Sequence, residues 1–231
     1  WDRACTTQVN PAVTYHFCNE TLRDSFYKAC WRQEECEPYS LFVSQGSYPI
    51  KGFHQVLKAA SILLKRYPEL KIYVAGGNIV KQKSLRDRLH MTSYGKYIRQ
   101  LTEMYGLKDR VVYTGFLDEE AMMKQYRKAY VFVSPSSIEN SPNSVGEAML
   151  LGMPVVASDV GGVCNMLAHG EEGYIYPFEA YYMMDYYIGE LFEHPGQAVQ
   201  MGCRAAQRAG RTHHREKNRD RLLEIYEEIL G

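Results

Sequence analysis

The chain has 231 residues, 45% of them hydrophobic, enough for one sizeable domain or two small ones around a real core. Its 27 basic and 27 acidic side chains cancel, which removes any electrostatic pull toward nucleic acid or an anionic membrane. No apolar run approaches the roughly 20 residues of a membrane span, no secretory signal is visible, and the chain opens on Trp1, so a piece of a longer, cytoplasmic protein is expected.

Residues 1–39 are rich in cysteine, aromatic and polar residues and show no sustained period; they read as a linker or wrapping segment with a short helix near 20–27. Cys5, Cys18, Cys30 and Cys36 lie here, Cys164 and Cys203 later, and no pair forms C-x-x-C. The early four with His16 match no common zinc spacing. A disulfide framework belongs to small secreted domains, so reduced thiols are the plain expectation. Asn19-Glu20-Thr21 fits a glycosylation sequon, a pattern that also arises by chance.

From residue 40 onward, short apolar runs alternate with helical stretches. Strands are expected at 40–44, 71–75, 110–114, 130–134, 154–157 and 173–176, and helices at 52–67, 94–105, 119–128, 144–151, 180–210 and 212–230. In the first of these helices Val56, Leu57, Ala60, Leu63 and Leu64 share a face, and Pro68 is the stop. Strands that are apolar nearly throughout and alternate with helices imply an α/β domain with a parallel sheet covered on both faces. The domain is expected over 40–210, with 211–231 as a C-terminal helix. His90, His169, His194, His213 and His214 have polar neighbours and no metal spacing and read as surface residues. The tyrosines at 181–182 and 186–187 read as packing, and the basic run 204–221 as a solvated helical face.

Parallel sheets bind ligands beyond the carboxyl ends of their strands. That selects Gly46, Gly76, Gly115, residues 134–143 and Gly161, with glycine recurring where a backbone must approach a ligand. The richest stretch is 134–149, SPSSIENSPNSVGEAM, a polar loop running into a helix start. Helix starts offer unpaired N–H groups to a diphosphate. Glu139 and Glu147 stand eight residues apart around that start, and Glu147 could hold both hydroxyls of a ribose. The plainer readings are a capping box, Ser144-x-x-Glu147, and a solvated Glu139. In Ser44-Gln45-Gly46 through Lys51-Gly52, the lysine could meet a phosphate as a point charge, or lie on the surface as lysines mostly do. It is not a P-loop, and no G-x-G-x-x-G follows a strand. Phe116 and Leu117 follow the third strand and could border a base, or be a turn with a core aromatic.

Together these segments resemble the family-four retaining glycosyltransferases, which have two Rossmann-like domains (the GT-B arrangement). The resemblance covers about 40–210 and rests on an ordered set: Glu139 to Glu147, Ala148-Met149, Gly152-Met-Pro154-Val-Val-Ala-Ser158 and Gly161-Gly162. It implies a nucleotide-sugar donor domain whose acceptor domain precedes it and is missing here, with residues 1–39 as the connection between the two. By resemblance Glu139 contacts donor-sugar hydroxyls, Glu147 the ribose, and Lys51 the diphosphate. The amides of Ser144 and Val145, beside Asn143, face the phosphates, and Phe116 and Leu117 border the base. One departure stands out: the family's arginine six residues before the lysine is Gln45 here, next to Gly46.

The resemblance further implies transfer to an acceptor hydroxyl with retention, without a metal or other cofactor. The sugar–phosphate bond would break through an oxocarbenium-like state, with fixed charge and amides meeting the leaving diphosphate. The implied acceptor is a glycan or lipid-linked sugar, and any attachment to the inner membrane face would be made by the preceding domain. The last helix would cross back to that domain, so its face with Leu222, Leu223, Ile225 and Ile229 is expected to be partly uncovered and to promote self-association. Two rivals keep the fold: a nucleotide-sugar epimerase or two-domain phosphorylase (without a convincing pyridoxal phosphate lysine), and a non-catalytic scaffold.

Overall fold

The computed structural model describes residues 2–81 and 91–231. Strands β1 (Ser40–Val43), β2 (Lys71–Ala75), β3 (Val111–Gly115), β4 (Val131–Ser134), β5 (Val155–Ser158) and β6 (Tyr174–Tyr176) form one parallel sheet in the order β3-β2-β1-β4-β5-β6. The chain winds outward through β2 and β3, returns to the middle, and winds the other way from β4. The reversal falls between β1 and β4, which pair with Leu41 opposite Val131 and Phe42 opposite Phe132. The carboxyl ends of these two strands therefore flank an open crevice, the ligand position of such sheets. Every residue of β1, β4 and β5 is buried, while edge strand β3 is only half covered.

Helix α1 (Asp2–Val9) opens the chain, where no regular structure is expected from the sequence. The described side chains of DRACTTQV are nearly all exposed, so no apolar stripe marks it in the sequence. A 3-10 turn over Asp24–Lys28 falls near the short helix expected at 20–27. Around it Leu22, Phe26, Trp31 and Cys36 are buried, and Trp31 ties the segment to two points of the domain. Its Nε1 donates to Ala129 O (2.8 Å) and its backbone N–H to Leu151 O (2.7 Å).

α2 (Phe53–Arg66) buries Val56, Leu57, Ala60 and Leu63, with Leu64 half-buried. α3 (Ser93–Met104) and α4 (Glu119–Lys128) are capped by Thr92 and Asp118, whose side chains accept from Gly95 N–H and Ala121 N–H at 3.0 and 2.8 Å. α5 (Asn143–Leu151) ends at Gly152, and a short α6 (Val163–Met166), too brief for a periodic signal, follows β5.

The single helix expected over 180–210 is two, α7 (Tyr181–Glu193) and α8 (Pro195–Thr212). Pro195 cannot continue α7 but suits the first position of α8. α9 (Arg215–Leu230) follows, starting later than expected because α8 runs on to Thr212.

His213 is not a surface residue. It is buried, with Nδ1 2.8 Å from Glu20 O, and a Cβ on Gly146 would lie 2.8 Å from its Nε2, so a glycine in α5 makes its room. His90 lies outside the described residues. Tyr187 stacks on Tyr174 at 4.6 Å, but Tyr182 and Tyr186 face solvent, because they lie on the uncovered side of α7. The described residues bring no three His, Cys, Asp or Glu side chains together as a metal site, and the cysteines are free. Burial pushes the Cys36 thiol up to about 11, so it stays a neutral packing group.

Glu37 ties the amino end of β2 to the segment before β1, accepting hydrogen bonds from Lys71 Nζ and Tyr73 Oη. Burial raises its carboxyl, but these bonds outweigh burial and hold it below the usual carboxylate range. A lowered folded pKa contributes stability that is present above the unfolded value and lost as pH falls through the folded one. Glu37→Gln is therefore expected to lower stability at neutral pH and to flatten the loss of stability below about pH 4, measured by urea unfolding across pH. An unchanged acid limb would assign it to other carboxylates.

Candidate active site

Two loops meet at the switch point. The first, after β1, carries Ser44, Gln45 and Gly46, then a 3-10 turn over Pro49–Lys51. Gly52 closes it with φ 68°, and a Cβ there would lie 1.7 Å from Pro135 O. Only glycine lets this loop rest on the second, which follows β4 and runs to α5. Ser137 N–H bonds Ile50 O at 2.8 Å and seals the contact.

The apposed loops bring Lys51 to Glu139, Nζ to Oε1 at 2.6 Å, although 88 residues separate them in the chain. Ser136 Oγ donates to the same oxygen at 2.6 Å. A third loop, after β5, holds Glu139 from behind. Gly161 has φ 54°, and a Cβ would fall 1.5 Å from Glu139 O; Gly162 N–H donates to Asn140 O at 2.7 Å. The Gly-Gly pair thus serves packing under the loop. A cavity of about 160 Å³ opens here, lined by Ser44, Gln45, Lys51, Ser134, Ser136, Glu139 and Ser144 among others.

Glu147 lies on α5, 3% exposed. The helix starts at Asn143 with Pro142 as its cap residue and no side-chain cap bond, so Ser144 sits inside the first turn and the capping box does not form. Instead both carboxylate oxygens of Glu147 are taken by Arg23, Nε to Oε1 at 2.6 Å and Nη2 to Oε2 at 2.7 Å. Beneath them Tyr126 is fully buried and donates to Ser144 O at 3.1 Å; burial holds its hydroxyl well above the usual range, so it remains neutral. A second cavity, about 410 Å³, is lined by Thr21, Leu22, Arg23, Ser44, Met122, Tyr126, Asn143, Ser144 and Glu147. It shares Ser44 and Ser144 with the first.

The crevice therefore gathers Gln45, Lys51, Glu139, Asn143, Ser144 and Glu147. Gly46 is buried away from it, and a Cβ would meet Val74 Cγ1 at 2.4 Å, so this glycine serves the β1–β2 contact. Val145 is fully buried and its N–H bonds back to Pro142 O at 2.9 Å, leaving Ser144 as the lining residue of that pair. Phe116 is 92% exposed and Leu117 half-buried against the core; neither lines either cavity. Sequence reasoning misses Arg23, Met122 and Tyr126. Nothing local marks Arg23, which reaches Glu147 across 124 residues.

Residues 26–208 match the family model described as Glycosyl transferases group 1. The chain is 27% identical over 186 residues to D-inositol 3-phosphate glycosyltransferase of Corynebacterium urealyticum, covering 78% of this chain and 41% of that protein. Its fold superposes on sucrose-phosphate synthase from Thermosynechococcus elongatus with a TM-score of 0.73 at 22% identity, over 92% of this chain and 51% of the other. It superposes on Anabaena HepE in complex with UDP with a TM-score of 0.70 at 19% identity, over 83% and 49%. The chain thus spans about half the length, or less, of these three proteins.

Proposed function

Because the chain belongs to the group 1 glycosyl transferases, we propose that it binds a nucleotide-diphosphate sugar at the β1–β4 crevice and, with an acceptor-binding domain, transfers the sugar to an acceptor hydroxyl with retention. The observation that carries this is the pair of carboxylates bracketing the α5 start: buried Glu147 and, on the adjoining cavity, Glu139 paired with Lys51 at 2.6 Å. Glu147 suits the vicinal diol of a ribose, which donates two hydrogen bonds to one carboxylate. The diphosphate then falls to Lys51, Ser144 and the start of α5, where the helix dipole favours negative charge. Glu139 is left to meet hydroxyls of the donor sugar.

As the sugar–phosphate bond breaks, negative charge grows on the leaving diphosphate, and donors already fixed in place stabilise it without reorganising. Lys51 and the helix start can supply that charge, so no metal is invoked. The UDP held by HepE supports a nucleotide in this fold. A glycan or lipid-linked sugar is the proposed acceptor, presented by a preceding domain. Isothermal titration with UDP, GDP and ADP, with and without magnesium, tests the reading. One nucleotide is expected to bind equally well in both conditions. Binding of none, or binding only with magnesium, would count against it.

Among the described residues no helix is long and apolar enough to cross a membrane. α9 buries Ile225 but exposes Leu222, Leu223, Tyr226, Ile229 and Leu230. Such a stripe needs a cover, so the isolated chain is expected to self-associate with rising concentration in light scattering. Leu223→Glu should reduce this. A strictly monomeric wild type at high concentration would count against an uncovered docking face.

A further inference from the structure

Arg23 sits on the carboxylate that the donor reading assigns to the ribose. Its Nε and Nη2 meet Glu147 Oε1 and Oε2 in a parallel fork that uses the front edge of the carboxylate. A vicinal diol needs that same edge to donate two hydrogen bonds. Ribose and guanidinium therefore compete for Glu147, and a bound ribose leaves Arg23 without its partner.

The segment bearing Arg23 is not free to leave. Leu22 and Phe26 are buried on either side, Leu22 N–H bonds Tyr27 Oη at 3.0 Å, and the Arg23 Cζ lies 4.8 Å from the centre of the Phe26 ring. The side chain itself is 37% exposed and can turn about its own torsions. The neighbouring cavity, joined through Ser44 and Ser144, has no net positive charge. Its lining has Lys51 as cation, Glu139 as anion, and the neutral Gln45. Across both cavities, Arg23 and Lys51 balance Glu139 and Glu147. A diphosphate entering there adds negative charge that Lys51, already paired, cannot offset alone.

We propose that Arg23 is a donor-binding residue, held on Glu147 by the fork and transferred to the donor's diphosphate when the ribose takes Glu147. The proposal rests on the donor-site reading above. It makes diphosphate recognition depend on a residue from the segment preceding the sheet.

The test compares UDP, GDP and ADP, titrated calorimetrically, with uridine, guanosine and adenosine, titrated by NMR to millimolar concentrations. The proteins are the wild-type chain, Arg23→Gln, and Arg23→Gln combined with Gln45→Arg. Arg23→Gln should weaken the preferred diphosphate at least tenfold while its nucleoside binds as well or better. Adding Gln45→Arg should restore most of the lost affinity. Equal losses for both ligands would make Arg23 a support for Glu147 only. Equal gains would make it a plug only, and no change would remove it from the site; each of these overturns the proposal. Should Arg23→Gln fail to fold, Arg23→Lys keeps the charge and loses the fork. A nucleoside that binds more tightly while diphosphate affinity holds within threefold then supports the proposal, and no change or a matched change in both ligands overturns it. A folded wild type that binds none of the diphosphates overturns the donor-site reading and this proposal with it. Wild-type binding that survives Arg23→Gln overturns this proposal alone.

Discussion

Glu147→Ala is expected to remove nucleotide binding from a calorimetric titration. A carboxylate that accepts both ribose hydroxyls contributes two charge-assisted hydrogen bonds, each about 1.5–3 kcal/mol. Their joint loss lowers affinity by roughly 10²- to 10⁴-fold, enough to carry a micromolar ligand out of range. The fold should tolerate the change. Its partner Arg23 is 37% exposed and can turn to water, whereas removal of Arg23 would leave a buried carboxylate unpaired, the costlier half of such a pair. A ligand variant isolates the contact. The 2′-deoxynucleotide should bind the wild type more weakly than the ribonucleotide, and Glu147→Gln should largely lose that discrimination. Unchanged affinity in Glu147→Ala would move the ribose elsewhere and revive the scaffold alternative.

Gly161→Ala should be the most damaging single methyl near the site. The residue sits at φ 54°, and its Cβ would overlap Glu139 O at 1.5 Å. A left-handed non-glycine residue costs about 1–2 kcal/mol, and an overpacked contact that forces backbone to shift costs about 1–3 kcal/mol more. The loop at 139–140 has to move, and with it the bonds from Gly162 N–H to Asn140 O and from Lys51 to Glu139. Urea unfolding should show a loss of about 2–5 kcal/mol, and donor binding should fall even under conditions where the variant is folded. Gly210→Ala is the control: it lies in α8 with open space around its Cβ, so it should be neutral or stabilising by up to about 1 kcal/mol. Equal effects at the two positions would mean that the loop has slack the geometry does not suggest.

The candidate site is partly legible in the sequence, and its gaps have physical causes. Glu139, Glu147 and Lys51 stand out because they flank strand ends and a helix start, positions that hydrophobic periodicity reveals. That Lys51 pairs with Glu139 and Glu147 with Arg23 does not show, since an ion pair across 88 or 124 residues leaves no local signal. Phe116 follows β3 as expected, yet the direction of a side chain after an edge strand depends on neighbours that periodicity does not specify, and the ring faces solvent. His213 reads as a surface residue because its chain neighbours are polar, although Gly146 and Glu20 enclose it.

By itself the amino-acid pattern determined the run of strands and helices from residue 40 onward, apart from the break at Pro195 and the short α6, and the parallel character of the sheet. These follow from burial on both faces and from side-chain periods of 2 and 3.6, which are local properties. The tertiary structure alone decided the strand order, which sets β1 beside β4 and creates the crevice. It also decided the glycine contacts that press three loops together, and the seating of Arg23 on Glu147. Each of these joins residues far apart in the chain through a shape or a charge that only the folded chain makes adjacent.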